Sequence, residues 1–270
     1  MPACSKSERN AHNDANGNDP CSKRRRTVRC EAYEVAYPQR IISELPIWKA
    51  NNVKMQTRIH KIGESSLKML REPSSITTIP PYLLRPLRSN WDAGLPWWNP
   101  RAIRYLRENL PSSGTVFEWG SGGSTVWLSE RGLSVTAIES EREWADKVRG
   151  RCPAANVLFI PGTDRGKFRS EAQLRDRGEH FFDDYIAAID EFPDGSLDVV
   201  VVDGICRVEC ARRAAKKVKS NGLVVVDDTN WQFLLPPPET FEGWKRLTLS
   251  GFKSNSGPYI YSTTFFRRPK

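Results

Sequence analysis

Val116-Phe-Glu-Trp-Gly-Ser-Gly-Gly-Ser124 decides how the rest of this 270-residue chain is read. A short apolar run passes into three glycines, Gly120, Gly122 and Gly123, within four positions, which is the pattern of a buried strand entering a tight turn. Thr125-Val126-Trp127-Leu128 resumes helical spacing, and Gly132 marks its stop. Glycines at such a turn supply positive φ and let a ligand approach the backbone. A second strand, Leu133 to Ile138, follows at once and ends on Glu139, about twenty residues after the first glycine, where a carboxylate can accept hydrogen bonds from a ribose diol. The unit points to a nucleotide cofactor. A glycine turn serving only to join a core strand to a helix is the alternative, and the two acids at this spacing weigh against it.

The chemistry of the loop narrows the cofactor. Thr125 stands where a dinucleotide fingerprint has its third glycine, and no G-K-[ST] serves a triphosphate. Glu118, two positions before Gly120, would repel a pyrophosphate but attract an ammonium group, which favours a cationic cofactor. Glu118-Trp119-Gly120-Ser121-Gly122 resembles the E/D-x-G-x-G motif of class I S-adenosylmethionine (SAM)-dependent methyltransferases, and Glu139 matches their ribose-binding acid. The resemblance covers roughly Trp97 to Lys270. It implies a Rossmann-like α/β fold with sheet order 3-2-1-4-5-7-6, the last strand antiparallel, and helices on both faces. It further implies SAM held by Glu118, Gly120, Ser121, Gly122, Ser124 and Glu139. Asp164, after the third strand Val157–Ile160, would then meet the adenine amino group, and Asp203 would also contact the cofactor, sitting over the reacting centre. An Asp164 that only forms a turn after Gly162 is the alternative there.

Composition bounds the rest. The chain carries a net charge of +9 and six cysteines without a C-x-x-C pair, so reduced thiols in a cytoplasmic protein are expected rather than a zinc site. No long apolar run or signal-like leader is visible, and no membrane association is expected. Residues 1–32, with Lys23-Arg24-Arg25-Arg26 in an Asn/Ser/Asp-rich setting, read as a disordered basic tail. Such a run is a solvated tail, a nuclear address or a nonspecific nucleic-acid contact. Residues 33–95 read as a partly helical extension packed on the domain formed by 96–270.

Within that domain, Asn99 and Pro100 open a helix as N-cap and first helical residue, with Trp97 and Trp98 either lining a pocket or packing beneath the sheet. Leu197 to Val202, with four consecutive valines, suits a strand covered on both faces, and it delivers Asp203-Gly204 to the ligand-binding edge of the sheet. Leu223 to Val226 delivers Asp227 and Asp228. Trp244–Leu249 and Tyr259–Phe266 read as a terminal hairpin.

Methyl transfer needs an acceptor held in line with the methyl group, a base where the acceptor is a hydroxyl, and exclusion of water. Asp203, Asp227 and Asp228 admit two readings. They hold Mg²⁺ through oxygen ligands, resembling the Asp…Asp-Asn triad of catechol-type O-methyltransferases with Asp228 in place of Asn; or Asp203 acts alone as base while Asp227 and Asp228 cap a turn. Arg207 pairs with Asp203 or binds an anionic substrate group. His180 reads as a surface or capping residue. An oxygen on a small molecule or glycan is the expected acceptor. RNA is a rival, suggested by charge and by Trp97-Trp98 and Trp231-Gln232-Phe233 as stacking surfaces, and a catalytically silent binding protein is another.

Overall fold

The computed structural model describes residues 66–78, 89–163, 182–254, 256 and 259–270. The basic tail, residues 33–65, Asp164 and His180 lie outside the described residues. Asn99 caps the helix α1 (Pro100–Asn109), as expected: its side chain accepts from the Ala102 amide at 3.1 Å while Pro100 takes the position that needs no donor. The following elements are β1 (Gly114–Trp119), α2 (Gly123–Ser129), β2 (Leu133–Glu139), α3 (Arg142–Arg151), β3 (Asn156–Phe159) and α4 (Asp183–Ala187), which continues as a 3₁₀ turn to Glu191. Then come β4 (Leu197–Val202), α5 (Arg207–Lys217), β5 (Val218–Val226), β6 (Lys245–Phe252) and β7 (Ile260–Arg267).

The strands form a seven-stranded sheet in the order β3-β2-β1-β4-β5-β7-β6, with β7 antiparallel to both its neighbours and the other pairs parallel. The expected order is therefore the observed one. The valine run explains its own burial: Val199 and Val201 enter the core under α1, α2 and α3, whereas Val200 and Val202 enter the core under α4 and α5. Alternate side chains of a strand leave on opposite faces, so only a strand covered on both sides reads as continuously apolar.

Two local expectations are corrected. The fifth strand, expected from Leu223, starts at Val218, and Asn221 is accommodated within it at φ 61° where the register with β4 shifts. Of the cysteines expected to be reduced, Cys206, which precedes α5 in a left-handed conformation, is disulfide-bonded, while Cys152 and Cys210 are buried free thiols.

The described part of the extension covers the outer edge strand. A 3₁₀ turn over Pro73–Thr78 packs on β6, and the Thr78 hydroxyl accepts the Phe252 amide at 2.9 Å. This satisfies an edge amide that would otherwise invite a further strand. Glu72 pairs with Arg101 of α1 and fixes the same segment from the other side. Among the described residues, no helix is long and apolar enough to cross a membrane.

Candidate active site

The C-terminal ends of β1, β2, β4 and β5 open onto one cleft of about 920 Å³. Its floor is the glycine loop, and each glycine has its own reason. Gly120 (φ 86°) lies against the Asp203–Gly204 backbone, where an added Cβ would come within 2.9 Å of main-chain atoms. Gly123 makes room for the Leu95 carbonyl of the segment entering α1, so a protein contact rather than a ligand demands it. Gly122 faces the cleft, with only Trp144 near its added Cβ, at 3.8 Å. Ligand access to the backbone, expected of all three, belongs to Gly122.

Glu139 lines the cleft at the end of β2, nearly buried. Its carboxylate accepts from the amides of Ser121 (3.0 Å), Ser140 (2.8 Å) and Glu141 (3.0 Å) and from the Ser121 hydroxyl (3.1 Å). Three of these donors are fixed backbone; the Ser121 hydroxyl is the one that can rotate away and give its place to a ligand hydroxyl. Trp144 donates to the Ser121 carbonyl at 2.7 Å and so braces the loop from α3.

Glu118 differs from expectation. It is fully buried and does not line the cleft: the Ser124 hydroxyl donates to one carboxylate oxygen and the Thr125 hydroxyl to the other at 2.6 Å, while Thr125 also accepts from the Gly122 amide at 2.9 Å. Burial outweighs these hydroxyls and pushes its pKa up to about 8, so near neutral pH Glu118 ties the loop to α2 chiefly as the neutral acid. Between about pH 4.5 and 8 the native state then holds a proton that the unfolded chain has lost, and stability falls as pH rises through that window. Glu118→Gln is expected to abolish this slope, with a difference from wild type growing to at most about 5 kcal/mol at the alkaline end. Parallel denaturant titrations at pH 5.5 and 8.5 check it; identical pH dependence in both proteins would refute the assignment.

At the other end of the cleft, one carboxylate oxygen from each of Asp203, Asp227 and Asp228 lies within 4.8 Å of the others. Asp203 Oδ1 faces Arg207 Nη2 at 3.1 Å, and its Oδ2 accepts from Trp98 Nε1 at 2.9 Å. Burial raises the Asp203 pKa against the pull of Arg207 and Lys253. Asp227, almost wholly enclosed, is driven by burial and then by its neighbour Asp228 to about 7. For Asp228 burial works upward too, but Lys253 and Arg207 outweigh it and hold the carboxyl below its ordinary value. Asp228 sits at φ 56°, a conformation that Asp and Asn tolerate better than other side chains.

Arg207 clamps the ends of β4 and β5. Its Nε donates to the Gly204 carbonyl at 2.9 Å, Nη1 to the Asp227 carbonyl at 2.6 Å and Nη2 to the Asp203 carbonyl at 3.2 Å. Asp203 and Asp228 take its ion-pair contacts, so of the two arrangements expected for Arg207 the pairing with Asp203 is present. The two tryptophans divide the roles left open for them: Trp98 is buried in the core and holds Asp203, and Trp97 lines the cleft. Trp98 is thereby lost as a base-stacking surface.

Lys253 is a cleft-lining residue that sequence reading misses. It lies in the connection from β6 to β7, is 2 % exposed, and lines the cleft with Nζ at 2.6 Å from Asp227 and 2.5 Å from Asp228. Tyr185, buried beneath Gly204, is another; burial raises its hydroxyl's pKa well above the ordinary value.

The order β3-β2-β1-β4-β5-β7-β6 with β7 alone reversed, carrying a glycine loop after β1 and an acid ending β2, decides the architecture. It is a Rossmann-like α/β fold with the strand order that the resemblance to class I SAM-dependent methyltransferases implies. No family model matches the chain, and no curated protein sequence matches it. Among solved structures, it is similar to a methyltransferase-like protein from Silicibacter pomeroyi (26% identity, TM-score 0.42), over 63% of this chain and 87% of that one. An rRNA methylase from Streptococcus thermophilus (10% identity, TM-score 0.42) and the N-methyltransferase NodS from Bradyrhizobium japonicum (13%, TM-score 0.39) each match over 63% of this chain and 95% of their own. In this fold the described lining residues contribute five carboxylates, Glu139, Glu141, Asp203, Asp227 and Asp228, against the three cations Arg142, Arg207 and Lys253. By formal charge the described lining is acidic although the chain is basic, an excess that the raised pKa of Asp203 and of Asp227 reduces near neutral pH.

Proposed function

We propose that the protein is a SAM-dependent methyltransferase acting on a hydroxyl of a small molecule or glycan. The observation that carries this reading is one continuous cleft running from Glu139 and the glycine loop to Asp203. Its ends suit the two halves of such a reaction. An excess of carboxylate favours a cationic cofactor and a neutral acceptor, and works against a polyanionic one.

The residues fit SAM in kind. Glu139 would take the ribose diol, with the Ser121 hydroxyl yielding its place, and Gly122 would let the ligand lie against the loop backbone. Trp144 and Phe159 offer apolar walls on that side, and Arg142 stacks on the outer face of Phe159 at 4.2 Å. When bound, SAM supplies an electrophilic methyl carbon on a sulfonium, whose bond to sulfur breaks as the bond to acceptor oxygen forms. Asp203 faces the cleft with its raised pKa and would take the hydroxyl proton, while Trp98 and Arg207 keep its carboxyl pointed there. Asp227 beside it is almost wholly buried, whereas the side chains of Asp203 and Asp228 keep 21 % and 23 % of their surface open to the cleft, where an acceptor can reach them.

Calorimetric titration with SAM and with its demethylated product tests the reading. Wild type is expected to bind in the micromolar range, about −8 kcal/mol, and Glu139→Ala to weaken binding at least a hundredfold. Folded wild type that binds neither ligand would leave the fold serving a different purpose.

A further inference from the structure

We propose that Lys253 takes the place a divalent metal would occupy, so that the acid cluster works with a built-in ammonium and needs no Mg²⁺. The inference rests on the methyltransferase reading for its mechanistic meaning, but its structural content stands on the cluster alone.

The three acids are close enough to suggest a metal, yet their oxygens are already committed. Asp227 Oδ2 and Asp228 Oδ1 hold Lys253 Nζ at 2.6 and 2.5 Å. The other Asp227 oxygen accepts from the Thr263 hydroxyl at 2.7 Å, and the other Asp228 oxygen faces Arg207 at 3.3 Å. Asp203 is taken up by Arg207 and Trp98. Mg²⁺ demands near-octahedral oxygen at about 2.0–2.1 Å and keeps several waters. To meet that demand the acids would have to give up some of these donors, and the ion would lie beside an ammonium of like charge held by two of them. The donor set does not fit a metal.

Nor is Lys253 a surface side chain that has wandered in. A lysine is almost never fully buried unless paired, and this one is held from several directions. Its ammonium lies 5.6 Å from the Trp97 ring and 4.8 Å from the Tyr261 ring. Trp97 Nε1 donates to the carbonyl of the next residue, Ser254, at 2.9 Å, and the Ser256 hydroxyl donates to the Lys253 carbonyl at 2.8 Å. The loop is thus built to place one cation between two strand-end carboxylates. Lys253 acts as a positioning residue: it fixes Asp227 and Asp228 and supplies positive charge at the acceptor end of the cleft. Deprotonation of the acceptor is left to Asp203, without a metal to acidify the hydroxyl.

The test is Mn²⁺ binding by the full chain after chelator treatment, read by electron paramagnetic resonance, with SAM calorimetry on the same samples. Wild type is expected to show no saturable site up to 1 mM Mn²⁺, about the weakest binding the titration resolves, and unchanged SAM affinity in chelator. Lys253→Met, which keeps the stem but removes the charge, is expected to bind Mn²⁺ at least tenfold more tightly than wild type and to melt at a higher temperature when Mn²⁺ is added. One Mn²⁺ bound by wild type at micromolar concentration overturns the inference, as does a folded Lys253→Met protein with no gain in Mn²⁺ binding. Failure of wild type to bind SAM, by contrast, strikes the proposed function and leaves the Mn²⁺ result to decide the role of Lys253.

Discussion

Asp203→Asn is expected to lower kcat by about 10²- to 10⁴-fold with any acceptor that supports turnover, while changing SAM affinity less than about threefold. The asymmetry follows from the geometry. In the proposed reaction Asp203 serves the acceptor, whereas Glu139 and the Ser121 and Gly122 backbone, which line the same cleft, serve the cofactor. Asparagine keeps the shape and can still accept from Trp98, but it cannot take a proton, and its amide group would face Arg207 donor to donor unless it turned. Arg207 retains Asp228 and three backbone carbonyls, so the clamp survives. Steady-state kinetics with calorimetry on the same variant separates the two effects. A loss of less than tenfold in kcat would remove Asp203 as the base. A parallel collapse of SAM binding would show that the two ends of the cleft are not independent.

Gly204→Ala is expected to cost about 3 kcal/mol of stability in chemical denaturation, a large effect for one added methyl. A Cβ there would fall well inside contact distance of the Tyr185 hydroxyl, and within 3.0 Å of the Gly120 amide and 3.2 Å of the Trp119 carbonyl carbon. Tyr185 cannot retreat, being wholly buried in the core under α4 and α5, and its carbonyl accepts from Trp119 Nε1 at 2.8 Å. In a Tyr185→Phe background the nearest obstacle is gone, and the same substitution should cost at least about 1 kcal/mol less. That coupling is what a double-mutant cycle measures. Strict additivity would place the strain elsewhere, in the approach of Gly204 to the glycine loop.

Much of this arrangement can be read from local pattern. The apolar run, glycines and acid of Val116–Glu139 sit within two dozen residues, and the alternation hidden in Val199–Val202 needs only the knowledge that both faces are covered. Direction is harder. Glu118 has the right place in the motif, but whether its carboxyl turns to the cleft or inward depends on Ser124 and Thr125, which reach it only once α2 has formed. The hydroxyls six and seven residues on are the available hint. Trp97 and Trp98 are neighbours with opposite fates because the chain turns into α1 just after them, something no periodicity records. Lys253 is hidden for another reason: it sits in a polar hairpin connection, about fifty residues from Asp203, where a lysine ordinarily means solvation. Only the reversed β7, which brings that connection back over β5, sets it among the acids.

The same hairpin has a consequence for how the molecule acquires its shape. Strands β3, β2, β1, β4 and β5, with the helices between them, resemble a unit able to fold alone, but among the described residues the carboxyl of Asp227 receives its side-chain partners, Lys253 of the β6–β7 connection and Thr263 of β7, from the terminal hairpin. Without them a carboxylate is shut away unpaired, a defect of about 3–5 kcal/mol, comparable with much of the net stability of a whole domain. A parallel half-sheet waiting for its antiparallel pair would thus hold Asp227 protonated or stay open around it. Charge neutralisation and the closing of the sheet are one cooperative event, and the chain cannot possess a finished fold before it possesses a finished site.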